Sequence, residues 1–110
     1  ERAVKNASED DLEKARIKVE RIDCPVMLIS GTRDELGPTT EWSETIADTI
    51  REKKPSSEVL HLNYDGAGHA FFLPNLPPTK LNPAIQVRDV ALAERDAWKR
   101  VLEFLDKHAR

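Results

Sequence analysis

Two short apolar runs, each followed by a glycine-containing loop, constrain the fold of this chain more than any other feature. The first run, residues 26–29 (VMLI), is continuously apolar, which is typical of a strand buried on both faces of a parallel sheet covered by helices. The second run, residues 59–64 (VLHLNY), alternates, with Leu60, Leu62 and Tyr64 on one face. It predicts a second strand that lies nearer the edge of the sheet.

A helix is predicted between the two runs, over residues 40–53, because apolar side chains recur there at four-residue spacing. Thr39 or Thr40 is expected to cap its start, and Pro55 to end it. A strand, a helix and a second strand in this order predict a βαβ crossover with parallel strands. The apolar positions of this helix are Trp42, Ile46 and Ile50.

Helices are also predicted at both ends of the chain. Ser8 and the acidic residues after it are typical of a helix start, whereas the proline-rich stretch 71–82 predicts a loop. Residues 87–108 show the clearest helical pattern, with Glu94 on the polar side. The expected apolar stripe of this helix consists of Val90, Ala91, Ala97, Trp98, Val101, Leu102 and Leu105. Both tryptophans, Trp42 and Trp98, are expected to anchor the core.

The candidate chemistry lies in the two loops that follow the strands, residues 30–38 (SGTRDELGP) and 65–69 (DGAGH). In open α/β sheets, ligands bind outside the carboxyl ends of the strands, so we expect Asp34 and His69 to lie side by side there. A carboxylate that accepts a bond from Nδ1–H of a histidine fixes its tautomer and stabilises the imidazolium. This is the orienting half of a nucleophile–His–acid triad.

Simpler interpretations exist for the polar residues near these loops. In one alternative, Asp34 does no more than cap its local turn, and Glu35 is then the acid of the triad in its place. Asp65 is expected to be a turn residue, and Cys24 is expected to pack inertly at the start of a buried strand. His61 and His108 need no function, and the three histidines lack the spacing of a zinc site.

Two segments, residues 24–34 (CPVMLISGTRD) and 66–69 (GAGH), resemble the C-terminal part of an α/β-hydrolase. That resemblance implies a triad in which the acid follows the penultimate strand and the histidine follows the last. Further segments are similar to the C-terminal catalytic domain of acyl-CoA thioesterases, which bile acid-CoA:amino acid N-acyltransferase shares. These segments are residues 64–69 (YDGAGH), 72–78 (FLPNLPP) and 97–105 (AWKRVLEFL).

One element of the hydrolase pattern is missing, because neither G-x-S-x-G nor G-x-C-x-G occurs in the sequence. The resemblance therefore implies that the nucleophile lies upstream of Glu1. We expect residues 1–110 to be the C-terminal βαβα fragment of one α/β-hydrolase domain, with the last two parallel strands and their covering helices. Residues 1–24 would form a lead-in helix and linker, and residues 25–110 the strands, the two loops and the terminal helix.

The resemblance implies a serine or cysteine hydrolase of acyl thioesters, or an acyltransferase, in which this fragment supplies Asp34 and His69 and is inactive alone. An ester or dienelactone-type hydrolase on the same scaffold is the alternative within the enzyme class. A different class is a non-catalytic fragment that dimerises through an exposed strand edge, since two strands alone make a poor sheet.

Composition excludes several other classes. The chain has 110 residues, with 17 Lys and Arg against 20 Asp and Glu, and its net charge of −3 argues against nucleic-acid and membrane partners. Its single cysteine fits a reducing compartment, so a cytoplasmic location is expected. The expected partners are a small acyl thioester or ester substrate and the missing N-terminal part of the fold. No cofactor is implied beyond the CoA of the substrate.

Overall fold

The computed structural model describes residues 7–71 and 82–109 as two parallel strands flanked by helices. Helix α1 begins with a capping box in which the Ser8 hydroxyl accepts from the Asp11 N–H, as its sequence predicts. The elements in chain order are α1 (Glu9–Ala15), a 3₁₀ turn (Val19–Arg21), β1 (Val26–Gly31), α2 (Thr39–Lys53), β2 (Val59–Tyr64) and α3 (Val87–His108).

Strands β1 and β2 are parallel and pair from Val26 opposite Val59 to Gly31 opposite Tyr64. Helix α2 connects them, which confirms the predicted βαβ crossover and the α/β class. Because both strands run in the same direction, their carboxyl ends lie at the same end of the sheet. The loops after Gly31 and Tyr64 therefore begin side by side.

The helices cover opposite faces of the sheet. Asn63 accepts a hydrogen bond from Thr40 of α2, whereas the next residue, Tyr64, donates one to Asp96 of α3. Successive strand residues point to opposite faces, so α2 and α3 sandwich the sheet. Ile29 and Tyr64 pack against the main core cluster, which consists of Ala67, Phe71, Ile85, Val90, Ala93 and Ala97.

Several burial predictions are wrong, because a two-stranded sheet covers only part of the surface of each helix. Helix α3 runs along the whole sheet, since Asp96 contacts Tyr64 at the end of β2 and Lys107 contacts Glu58 just before β2. Trp98 is nevertheless 40% exposed, and Leu102 and Leu105 are exposed as well. Residues 26–29 of β1 are only half-buried, because in the described part of the chain β1 pairs with β2 alone.

Three further residues lie where the sequence does not predict them. Trp42 is 56% exposed and its ring lies against Gly37 at the surface, so it is not a core anchor. Cys24 is exposed, because it precedes β1 and does not enter the sheet. Glu94 was expected on the polar side of α3 but is buried, since it lies one turn from Val90 on the face that meets the core.

The proline-rich loop predicted over residues 71–82 lies mostly outside the described residues, which resume at Asn82 after Phe71. Phe71 itself is buried in the core, whereas the interpretation of Phe72 and Leu73 as pocket-lining residues concerns residues that the structure does not describe. None of the helices in the described ranges is both long enough and apolar enough to cross a membrane.

Candidate active site

Main-chain hydrogen bonds join the loop after β1 to the loop after β2. The Thr32 N–H donates to the Tyr64 carbonyl at 3.0 Å, and the Arg33 N–H donates to the Ala67 carbonyl at 2.9 Å. A Cβ on Gly31 would lie only 2.3 Å from the Ala67 carbonyl oxygen. Glycine is therefore required at position 31, because the two backbones approach each other more closely than a side chain allows.

This contact brings the side chains of Asp34 and His69 together. Nδ1 of His69 lies 2.9 Å from Oδ2 and 3.2 Å from Oδ1 of Asp34, although 35 residues separate them in sequence. The Asp34 side chain is 6% exposed and the His69 side chain is 41% exposed. The predicted juxtaposition is observed, and it consists of a buried carboxylate beneath an imidazole that reaches the surface.

The Asp34 carboxylate accepts two further hydrogen bonds. The Leu36 N–H donates to Oδ1 at 2.9 Å, and the Thr39 hydroxyl donates to Oδ2 at 2.8 Å. Burial is the largest single influence on the pKa of Asp34 and raises it. The hydrogen bonds from His69, Leu36 and Thr39 together outweigh burial and hold that pKa below its ordinary value.

Asp34 therefore caps its local turn, through the Leu36 N–H, and also contacts the histidine. The two interpretations offered by the sequence do not exclude each other. Since an ionised carboxylate can only accept, the proton of the shared hydrogen bond belongs to Nδ1 of His69. In the neutral ring, the lone pair is then on Nε2, which is the nitrogen that a general base requires.

Glu35 plays a different part from the substitute acid that the sequence suggested. Its Oε2 accepts from the main-chain N–H of His69 at 2.9 Å, and its Oε1 accepts from the main-chain N–H of Asn82 at 3.1 Å. The carboxylate of Glu35 thus holds the backbone of the histidine, while Asp34 holds the ring. No sequence motif signals this contact, because it depends on how the two loops meet.

The expected cap of α2 is wrong. Pro38 occupies the N-cap position, and no side chain of the described residues caps the helix. The Thr39 hydroxyl is directed to Asp34, and the Thr40 hydroxyl donates to Asn63 at 3.0 Å. Thr39 is a site residue that sequence reasoning missed, since a hydroxyl at the start of a helix is usually interpreted as a cap.

A serine and a histidine contact each other on one face of the sheet, away from the Asp34–His69 pair. The buried Oγ of Ser30 donates to Oδ1 of Asn63 at 3.0 Å and lies 2.7 Å from Nε2 of His61. Because the hydroxyl proton goes to Asn63, Nε2 of His61 acts as the donor to Ser30 and not as its base. This contact joins the two strands and is not a nucleophile with its base.

Asp65 accepts from the Thr32 hydroxyl at 3.0 Å, which is consistent with the turn role expected of it. Beside Asp34, an open cleft of about 300 Å³ is lined by the loop after β1 and the first turn of α2. Within the residues that the structure covers, no three His, Cys, Asp or Glu side chains gather where a metal ion could be held.

Two parallel strands joined through a helix, with an aspartate and a histidine paired beyond their carboxyl ends, define a C-terminal α/β portion of the kind expected from the sequence. The family model described as BAAT / Acyl-CoA thioester hydrolase C terminal matches residues 1–110. The chain belongs to this family. A comparison with curated proteins gave no match.

Proposed function

We propose that this chain supplies the acid and the base of a nucleophile–His–acid triad in an α/β-hydrolase that acts on acyl thioesters. His69 is the general base and Asp34 orients it. The observation that carries the proposal is the 2.9 Å contact between Nδ1 of His69 and the buried Asp34 carboxylate. Membership of the acyl-CoA thioester hydrolase C-terminal family supports the substrate class.

The proposed reaction uses these two residues as follows. Nε2 of His69 takes the proton of a serine or cysteine as that nucleophile attacks the thioester carbonyl, and the same proton then goes to the departing CoA sulfur. His69 next removes a proton from water or an amine, whose attack on the acyl group releases the product and restores the nucleophile. Asp34 stabilises the imidazolium in both steps.

The nucleophile in this proposal comes from polypeptide outside the 110 residues, because the sequence has no G-x-S-x-G or G-x-C-x-G segment. We call the full-length protein that contains both parts the parent protein. We infer that residues 1–110 alone do not turn over an acyl thioester. The same chemistry would transfer the acyl group to water or to an amine, and it would also act on an oxygen ester in place of the thioester.

The test is the substitution His69→Ala in the parent protein, with acyl-CoA hydrolysis followed by thiol release. Loss of a triad base is expected to lower kcat by about 10³-fold or more. His108→Gln, at the far end of α3, is the matched histidine control and is expected to retain activity. Near-normal turnover of the His69→Ala protein would refute the proposed role of His69.

A second candidate function, self-association of the 110-residue chain, is favoured by the edge of β1. Among the described residues β1 pairs with β2 alone, and the apolar residues 26–29 are only half-buried. An unpaired edge of this kind is a template for adding another strand. Light scattering after size exclusion decides the matter: a dimer supports edge pairing, and a monomer at all concentrations contradicts it.

A further inference from the structure

Glu35 bridges two points of the backbone that are far apart in sequence. Its two carboxylate oxygens accept from the N–H groups of His69 and Asn82, at 2.9 Å and 3.1 Å. These N–H groups lie at the two ends of segment 69–82, which connects the loop after β2 to the approach to α3. One carboxylate therefore fixes both the backbone of His69 and the backbone of Asn82.

Two contacts among the described residues bear on the position of Nε2 of His69. Asp34 contacts the ring at Nδ1, and a shift of the backbone would move the ring relative to that contact. Glu35 fixes the backbone from which the ring projects. A misplacement of about 1 Å at a reacting group can lower a rate by about 100-fold, so the second contact bears on catalysis.

The glycine before the histidine lies against the same carboxylate. A Cβ on Gly68 would lie 2.8 Å and 3.0 Å from the two carboxylate oxygens of Glu35, and 2.5 Å from Cδ1 of Ile85. The Glu35 carboxylate thus occupies the space that any other residue at position 68 would need. The Glu35 carboxylate is the end of a flexible side chain and can move away, whereas Ile85 belongs to the buried core, so alanine at position 68 would disturb the core packing as well as Glu35.

We propose that Glu35 is a positioning residue that holds the general base through its main chain. The proposal rests on the proposed role of His69, and it assigns Asp34 to the ring and Glu35 to the backbone of the same histidine. Adjacent residues on one loop then divide the task of fixing Nε2. Glu35 acts through His69 and does not itself touch substrate.

A graded series of variants in the parent protein tests this. Glu35→Ala removes both acceptors, whereas Glu35→Gln keeps one carbonyl oxygen and is expected to restore part of the function. Gly68→Ala keeps Glu35 but displaces its carboxylate. Glu52→Ala, which removes an exposed glutamate from the last turn of α2, is the matched control for loss of one negative charge.

Two measurements apply to every variant. In steady-state kinetics, kcat of Glu35→Ala is expected to fall by about 10- to 100-fold, while its KM stays within about twofold of the wild-type value. The kcat values of Glu35→Gln and Gly68→Ala are expected to lie between those of Glu35→Ala and the wild type. Glu52→Ala is expected to have the wild-type kcat. In residue-resolved amide hydrogen exchange, the amides of His69 and Asn82 are expected to exchange faster in Glu35→Ala.

The outcomes separate this inference from the proposed function. Unchanged kcat in Glu35→Ala, or equal losses in Glu35→Ala and Glu35→Gln, would overturn the positioning role, and so would unchanged exchange at the two amides. Should Glu35→Ala fail to fold, Glu35→Gln decides: a wild-type kcat together with unchanged exchange at the His69 and Asn82 amides would overturn the positioning role, and a lowered kcat with faster exchange would support it. Full activity of His69→Ala would instead refute the triad, while amide exchange would still report on the Glu35 contact.

Discussion

The hydroxyl of Thr39 donates to Oδ2 of Asp34 at 2.8 Å, the same oxygen that lies 2.9 Å from Nδ1 of His69. Thr39 is the first residue of α2, where a hydroxyl often caps its own helix. Here the hydroxyl donates its hydrogen bond to the Asp34 carboxylate instead, and Pro38 occupies the cap position. The helix start thus helps to keep the acid ionised and fixed in place.

Thr39→Val removes this hydroxyl with little change of shape. Since hydrogen bonds to charged groups are stronger than neutral ones, we expect the free energy of unfolding to fall by about 1 to 3 kcal/mol. Thr45→Val is the matched control, because the Thr45 hydroxyl donates to the neutral carbonyl of Glu41 on an exposed face of the same helix. Urea unfolding measures both, and equal losses would contradict the assigned role of Thr39.

The lowered pKa of Asp34 predicts a dependence of stability on acidity. Its pKa is lower in the folded state than the ordinary value of 3.8, so its contribution to stability is fully present above about pH 4 and is lost as pH falls through the folded pKa. Asp34→Asn removes this contribution. The difference in unfolding free energy between wild type and Asp34→Asn is therefore expected to be larger at pH 7 than at pH 3.

The corresponding control is Asp48→Asn, at an exposed aspartate in the middle of α2. Its difference from wild type is expected to change much less between the two pH values than that of Asp34→Asn. The prediction fails if Asp34→Asn and wild type lose stability in parallel on acidification, because Asp34 would then have the same pKa in the folded and unfolded chain.

Tyr64 predicts a loss of stability at alkaline pH. Burial, followed by the 2.9 Å bond to the Asp96 carboxylate, raises the pKa of Tyr64 above its ordinary value of 10.0. A raised folded pKa gives stability that is present below about pH 10 and is lost as pH rises toward the folded pKa. Tyr64→Phe is expected to lose about 1 kcal/mol at pH 7 and to lack this alkaline decline.

The measurement is direct, because Tyr64 is the one tyrosine of the sequence and its ionisation is visible in the ultraviolet spectrum. In Asp96→Asn the titration midpoint is expected to fall toward the ordinary value without reaching it, since burial remains the larger cause. A midpoint already at the ordinary value in the folded wild-type chain would show that Tyr64 is neither buried nor bonded to Asp96.

The sequence predicts the arrangement of the sheet and the juxtaposition at its edge, because both depend on local patterns. Glycine follows the apolar run of β1, and parallel strands bring Asp34 and His69 to the same edge whatever the details of packing. The roles of Glu35 and Thr39 are not predictable in this way. Each depends on the final approach of separate segments, which leaves no periodic or compositional mark.

Burial of the large apolar side chains is predicted least well. Helical periodicity shows that Trp98, Leu102 and Leu105 share one side of α3 with Val90 and Ala97, but it does not show how far the sheet beneath them extends. A pattern identifies the apolar face of a helix, whereas burial depends on what covers that face. The sheet runs along the whole of α3, from Tyr64 beside Asp96 to Glu58 beside Lys107, but its two strands leave Trp98, Leu102 and Leu105 exposed.

Glu94 leads to the last prediction. It is 9% exposed, and among the described residues no group hydrogen-bonds its Oε1. A buried polar atom without a partner costs about 1 to 3 kcal/mol, so Glu94→Leu is expected to raise the unfolding free energy of the 110-residue chain by roughly that amount. Glu103→Leu, at an exposed glutamate of the same helix, is the control and is expected to change stability by less than about 0.5 kcal/mol.

Thermal and urea unfolding of the wild type and both variants measures this difference. Glu94→Gln is expected to lie between the wild type and Glu94→Leu, because the amide is uncharged but still polar. A loss of stability in Glu94→Leu would contradict the prediction, since it would mean that the buried carboxylate makes a favourable interaction in the folded chain. A gain of stability would show that an apolar side chain is favoured at position 94, as it is at the neighbouring buried positions Val90 and Ala97.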